Sequence, residues 1–235
     1  MKTIIKPAII LMLVAFLSAL ALSHIKKITY PRILLLKQQK EENAIAIVLP
    51  GYVIGEQKQV DMEGEKFTYW EAEKKDENDK AVKGYAFITG SPGYSGDVVS
   101  MVGIDEGGTI LGISILHQTE TPGLGARCEE VASSKTFFGA IFGSDTAEEE
   151  DLLPWFQEQF KGLKINEKIG IFKNGDWNES MKEGLIEKNG VTAITGATIT
   201  TRALIKSLEK GIANLNEALH KRENGNSNEN LEAAR

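Results

Sequence analysis

Residues 195–201 read Thr195-Gly196-Ala197-Thr198-Ile199-Thr200-Thr201 and run into a helical pattern in which Leu204, Ile205, Leu208, Ile212 and Leu215 share one face. The pattern places the start of that helix near Thr201. Gly196 and Ala197 remove bulk beside the backbone, and Thr198, Thr200 and Thr201 supply hydroxyls. The free N–H groups and dipole of a helix N-terminus favour an anion at such a place. One threonine suffices as an N-cap, whose loss costs about 1 kcal/mol. Five stand between Thr192 and Thr201. The segment therefore reads either as a capped helix preceded by strand residues Val191–Ile194 or as a phosphate site.

Upstream, His117-Gln118-Thr119-Glu120-Thr121-Pro122-Gly123-Leu124-Gly125 follows the clearest strand signal of the chain. Asp97–Ile104 and Thr109–His117 are rich in β-branched residues and flank Asp105-Glu106-Gly107-Gly108, the pattern of a hairpin. In the second arm Leu111, Ile113 and Ile115 are expected on one face, with Gly112, Ser114 and Leu116 on the other. The loop after it has two readings. Pro122-Gly123 is a type II turn signal. Alternatively, Glu120 and Thr121 offer polar groups to a planar ligand, and the glycines allow close backbone approach.

Further out, Lys66–Ala72 and Gly84–Thr89 read as a second hairpin around the charged stretch 74–80. Ala44–Leu49, ended by Pro50-Gly51, is either a short strand or a helix end. Trp155, Phe156 and Phe160 fit one apolar stripe, expected in a core or an interface. Glu148-Glu149-Glu150-Asp151 reads as a solvated acidic face, and 162–172 as holding a short strand.

The N-terminus differs in character. Pro7–Ile25 has no charged residue apart from a proton on His24. Spanning a bilayer takes about 20 apolar residues. Ala19-Leu20-Ala21 would suit a signal-peptide cleavage site, but the apolar run continues past it, so an uncleaved single-pass anchor is expected. Lys2 and Lys6 lie on one side, and Lys26, Lys27 and Arg32 on the other, so the positive-inside rule does not orient it. Anchors that resemble signal sequences leave the following domain outside the cytoplasm, and that side is expected here. The organisation is then anchor 1–29, juxtamembrane connection 30–59, a domain at 60–217 and a polar, disordered tail at 218–235.

Composition narrows the chemistry. A formal charge of −6 argues against nucleic acid as a partner. Cys128 is the single cysteine, so no intrachain disulfide forms. His24, His117 and His220 lie far apart without metal-ligand spacing, and no metal site is expected.

Taken together, the two motifs resemble the FMN-binding domain of the G subunit of the Rnf electron-transport complex and of the C subunit of the sodium-pumping NADH:quinone reductase. The family shows a Glu-Thr-Pro-Gly-Leu-Gly loop after a strand, here Glu120–Gly125. It then shows Ser/Thr-Gly-Ala-Thr-x-Ser/Thr before the C-terminal helix, here Thr195–Thr200. Gly93-Tyr94-Ser95-Gly96, leading into Val102–Asp105, is also similar, and the likeness spans about Ala44 to Leu215. His117 directly after the strand favours the Rnf protein, with its counterpart in the reductase the alternative.

The resemblance implies an α+β domain with a mainly antiparallel sheet and a C-terminal helix. It implies FMN esterified through its phosphate to Thr198, with Thr200 the other eligible hydroxyl. Thr195, Gly196, Ala197 and Thr201 would complete the phosphate end. Glu120, Thr121, Leu124 and Gly125 would neighbour the isoalloxazine. It further implies a flavin transferase for maturation and the other Rnf subunits as partners. The seat would be the bacterial cytoplasmic membrane with the flavin domain on its outer side. The chain would act as an electron-transfer subunit of an ion-translocating oxidoreductase, with no diffusible substrate of its own. One departure stands out: the family's aspartate shortly before the motif is missing from Asn189-Gly190-Val191-Thr192. Two readings from other classes remain: an anchored binding protein without cofactor, and a flavin enzyme acting alone.

Overall fold

The computed structural model describes residues 2–62, 64–75, 79–131, 154–173 and 175–233. The acidic run Glu148–Asp151, and the stretch from Cys128 to Glu150 beyond Val131, lie outside these. The chain divides into two units, Met1–Glu42 and Asn43–Arg235.

The first unit is helical and belongs to α1 (Lys2–Val48), whose last residues enter the second unit. Its apolar stretch is long enough to cross a bilayer. Gln38 Nε2 donates to Glu42 Oε1 at 2.9 Å, one turn on. The connection expected at 30–59 is thus helical as far as Val48, and Ala44–Val48 is a helix end rather than a strand.

The second unit is α+β. Five strands, β1 (Val53–Met62), β2 (Glu65–Lys75), β3 (Ala81–Pro92), β4 (Asp97–Asp105) and β5 (Ile110–His117), form an antiparallel sheet in chain order. Both expected hairpins are present, as β2–β3 and β4–β5. β1 opens at Val53, ahead of the boundary expected at residue 60, because its Glu-Gln-Lys-Gln stretch lies at a solvated edge and carries no apolar alternation. A short parallel pair, β6 (Gly170–Phe172) and β7 (Gly190–Thr192), stands apart. Among the described residues the unit also holds helices α2 (Trp155–Glu158), α3 (Lys182–Glu187) and α4 (Thr198–Ala233), with single 3-10 turns at Gly125–Glu129 and Glu179–Met181.

The sheet is covered on both faces, which is why its central strands carry few polar residues. On one face Phe67, Phe87, Val102, Ile113 and Ile115 meet Leu204, Leu208 and Leu215 of α4. Full burial of each such side chain is worth about 1.5–3 kcal/mol. On the other face Ala44, Val48 and Leu49 meet Trp70, Ala72, Ala86 and Met101. This approach is close: a Cβ on Gly103 would overlap the Val48 carbonyl oxygen.

Leu111 departs from the expected alternation. Gly103 pairs with Gly112 and Ile104 with Ile110, so Leu111 is the extra residue of a β-bulge. The bulge turns it toward the second face, beside Leu116, while Ile113 and Ile115 stay on the first.

Phe156 and Phe160 lie in the core, with ring centroids 5.5 Å apart and edge to face at 80°. The tail expected to begin at residue 218 continues α4 as far as Ala233. Ala218 is buried and Arg222 pairs with Glu71 of β2, so packing extends past that boundary and an existing helix propagates without a new nucleus.

Candidate functional site

β7 delivers the chain to the threonine segment. Gln159 fixes its end with backbone-like bonds, accepting from Thr192 N–H at 2.7 Å and donating to the Thr192 carbonyl at 3.3 Å. The chain then turns through Ile194–Ala197. Ala197 N–H donates to the Ile194 carbonyl at 2.9 Å, and Gly196 takes φ +79°, where a side chain would be strained. α4 therefore begins at Thr198, three residues before the start expected from apolar spacing.

The threonines have separate fates. Thr201 is buried, and its hydroxyl accepts from Ile194 N–H at 3.1 Å, tying the first turn of α4 back to the strand exit. Thr200 is buried and donates to Glu120 Oε2 at 2.5 Å. Thr198 is half-exposed. Thr195 is exposed and its N–H donates to Asp176 Oδ1 at 3.4 Å.

Glu120 organises the opposite wall. Its Oε1 accepts from the N–H groups of Tyr94 at 2.8 Å and Ser95 at 2.9 Å, which closes the turn between β3 and β4. Its own N–H donates to Gln118 Oε1 at 2.7 Å. Burial opposes ionisation of this carboxyl. The hydrogen bonds from Thr200, Ser95, Tyr94 and Gly96 outweigh it and hold the group below the usual carboxylate range. Glycine is required around it, since a Cβ on Gly93 or Gly125 would overlap the Glu120 carboxylate.

Between these walls lies a cavity of about 460 Å³, within the range of small-molecule sites. Glu120, Thr121, Leu124 and Gly125 line it from one side, and Gly196, Ala197, Thr198 and Thr200 from the other. Eight of the ten expected site residues thus share one cavity. Thr201 and Thr195 do not line it: the first secures the turn and the second faces Asp176. Glu120 spends both carboxylate oxygens within the chain, so it shapes the wall. A second cavity of similar size includes Glu65, Lys66, Asp97 and Lys210 and holds none of the motif residues.

Three residues at the site were not anticipated. Tyr94 and Ile199 also line the cavity. Tyr94 had a signal, the Gly93–Gly96 turn, and Ile199 lies inside the motif itself. Asp176 had none. It reaches Thr195 from 19 positions upstream and also accepts from Arg127 Nη2 at 2.9 Å. Burial opposes its charge, but the bonds from Arg127 and Thr195 hold its carboxyl below the usual range. Arg127 in turn bonds Glu130 at 2.7 Å and lies 5.5 Å over the Trp155 ring. The segment that lacks an acid in its own sequence therefore has one in space.

The profile of the FMN-binding domain family matches residues 93–213, from the Gly93 turn to α4. The G subunit of the Na⁺-translocating ferredoxin:NAD⁺ oxidoreductase complex of Acetobacterium woodii is 32% identical over 132 residues, covering 56% of this chain and 48% of that protein. The G subunit of the ion-translocating oxidoreductase complex of Haemophilus influenzae is 31% identical over 140 residues, covering 58% and 51%. The chain spans about half the length of these relatives. The crystal structure of the C subunit of the Na⁺-translocating NADH-quinone reductase from Parabacteroides distasonis aligns over 68% of this chain and 74% of that one, with a TM-score of 0.42 and 22% identity.

Proposed function

The chain belongs to the FMN-binding domain family, and from that premise we propose that it is the membrane-anchored, G-type flavoprotein subunit of an ion-translocating oxidoreductase, with FMN carried as a phosphoester on Thr198. FMN supplies the ability to accept and pass on electrons singly or in pairs. The protein's part is to hold the cofactor, keep water from it and set its surroundings.

One observation carries the choice of residue. Thr198 is the half-exposed hydroxyl at the cavity in the first turn of α4, whereas Thr200 is buried and committed to Glu120. The cavity fits the group in three ways. Its volume suits a nucleotide-sized ligand, its glycine-bearing walls admit a close approach, and a helix N-terminus adjoins it. Among the described residues its lining holds a carboxylate and neither lysine nor arginine. A free phosphate dianion would find no cation in that wall, and an ester removes both one charge and the means of escape.

Attachment needs an activated flavin nucleotide and a transferase. Thr198 Oγ bonds to phosphorus, the bond from phosphorus to the donor's leaving group breaks, and the hydroxyl proton departs to a base. The G-subunit relatives support placement in a complex that couples electron transfer to Na⁺ or H⁺ movement. The apolar α1 supports a single-pass anchor, and the outer side of the bacterial cytoplasmic membrane is our proposal for the flavin domain, from the likeness of the anchor to a signal sequence.

The test is co-expression of the full chain with a flavin transferase, followed by denaturing electrophoresis and intact mass. A fluorescent band carrying the mass of one esterified FMN is expected. A band with no flavin overturns the proposal.

A further inference from the structure

The five-stranded sheet is not paired along its whole length. β2 and β3 pair from Lys75 opposite Ala81 as far as Tyr69 opposite Phe87. Beyond that point residues 65–68 pair with β1 alone, and residues 88–92 with β4 alone. The sheet thus parts at one end. The second cavity, about 460 Å³, lies in the parting: Lys66 and Phe67 line one side, Ile88 and Gly90 the other, with Lys210 and Asn214 of α4 alongside.

Packing against α4 sets both walls. Thr89 Oγ1 donates to the Ser207 carbonyl at 2.6 Å, a buried bond that fixes β3 to the helix. A Cβ on Gly211 would overlap the Phe87 ring, so this approach has no slack. β2 meets the same helix at Glu65, which pairs with Lys210 at 2.7 Å.

The backbone at the gap is turned inward. Gly93 N–H donates to the Gly96 carbonyl at 2.8 Å, toward β4. Backbone groups alternate sides along an antiparallel strand, and the β3–β4 register has no shift, so Gly90 directs its N–H and C=O into the gap. By the same alternation Ala86 faces β2 at Trp70, and Lys66, four residues before Trp70, faces the gap from the other side. Among the described residues neither has a strand opposite. Unpaired strand edges are templates for a further strand. Here two of them face each other, so an entering strand pairs on both its sides. Every described strand of this chain already has a neighbour. A second copy therefore offers no described strand with both edges free.

We infer that the gap receives an extended segment of another polypeptide, added as a strand between β2 and β3. The inference rests on the reading of the chain as a subunit of a complex, which supplies that polypeptide, and is independent of the flavin. At about 3.3 Å per residue, the parted stretch takes about four residues of the segment. Its side chains alternate. One lies over Ile88 and Val99 and is apolar, and the next faces Lys210 and Asn214 and is polar. Proline is excluded wherever an N–H must bond.

The experiment is hydrogen exchange on the full chain in detergent, alone and in the complex purified from membranes, with Lys66→Pro and Lys66→Ala beside the wild type. Lys66 N–H points away from β1, so proline removes a donor at the gap and spares the β1–β2 ladder. In the chain alone the amides of Lys66 and Gly90 are expected to exchange about tenfold faster, or more, than those of Trp70 and Ala86, and in the complex to slow by a similar factor. Lys66→Pro should abolish the slowing at Gly90. Lys66→Ala keeps the backbone donor and should preserve it. Equal loss in both variants assigns a side-chain contact and overturns the inference. Exchange unchanged by assembly overturns it too, and does so on the wild type alone if Lys66→Pro does not fold. Slow exchange in the chain alone, at low or at rising concentration, also overturns it, with the gap then closed or filled by a second copy. A chain that purifies with no other subunit overturns the subunit reading and this inference with it.

Discussion

Glu120 and Thr200 share a 2.5 Å hydrogen bond across 80 positions of sequence. It joins the loop after β5 to the first turn of α4, and the cavity lies between them. Removing the carboxylate leaves the hydroxyl of Thr200 and the N–H groups of Tyr94 and Ser95 without their acceptor. An unpaired buried group costs about 1–3 kcal/mol; Thr200 is buried, whereas water can reach the exposed turn at Tyr94 and Ser95. Glu120→Ala is therefore expected to destabilise the domain by about 1–3 kcal/mol and to lower flavin content, read by denaturant unfolding and intact mass. Glu120→Gln, which keeps one acceptor oxygen, should lose less than half as much.

The two eligible hydroxyls separate cleanly. Thr198→Val should abolish covalent flavin while changing stability by less than about 1 kcal/mol, because the side chain is half-exposed. Thr200→Val should cost about 1–2 kcal/mol through its buried bond and leave the ester in place. Intact mass and thermal melting of the two variants give opposite patterns. A labelled Thr198→Val chain would move the attachment site.

Stability should fall in acid through the carboxyls at the site. Glu120 and Asp176 both lie below the usual range, so the unfolded chain binds more protons than the folded one as pH drops through that range. Their contribution is complete above the ordinary carboxylate values and is lost as pH falls toward the depressed ones. The melting temperature is expected to hold from neutrality to about pH 5 and decline below it. In Glu120→Gln the decline should be shallower, since one of the two protonations is gone.

Asp176 should matter to the loop more than to the fold. Its side chain is partly exposed, and it touches the motif only at Thr195. Asp176→Ala should slow flavin attachment and lower the melting temperature at neutral pH less than Glu120→Ala does, and Asp176→Asn, which still accepts from Thr195 N–H, should recover part of the rate. A time course of intact mass during co-expression checks this.

Gly103→Ala tests how the end of α1 meets the sheet. The added Cβ would overlap the Val48 carbonyl. Overpacking of this kind typically costs about 1–3 kcal/mol. Gly112→Ala, whose Cβ would lie 3.0 Å from the Ile47 carbonyl, should cost less.

The sequence carried the hairpins well, because β2–β3 and β4–β5 alternate or pair locally around polar turns. Leu111 was misplaced because a bulge depends on the register with β4, which no local pattern records. The start of α4 was set three residues late because Thr198–Thr200 carry only one apolar residue, and what begins the helix there is the turn at Gly196. Of the ten expected site residues eight line one cavity, while Thr195 and Thr201 do not. Asp176 was invisible for a different reason: its link to Thr195 exists only once β6 and β7 pair in parallel and bring their flanking loops together.

Glu120 completes its bonds with Tyr94, Ser95 and Thr200, all within this chain. The walls of the cavity are thus joined to each other by bonds within the chain itself. An enzyme that modifies Thr198 would then meet a finished surface instead of a flexible peptide. On the proposed reading, biogenesis would be a matter of order in time: folding would come first, and the cofactor would be installed afterwards.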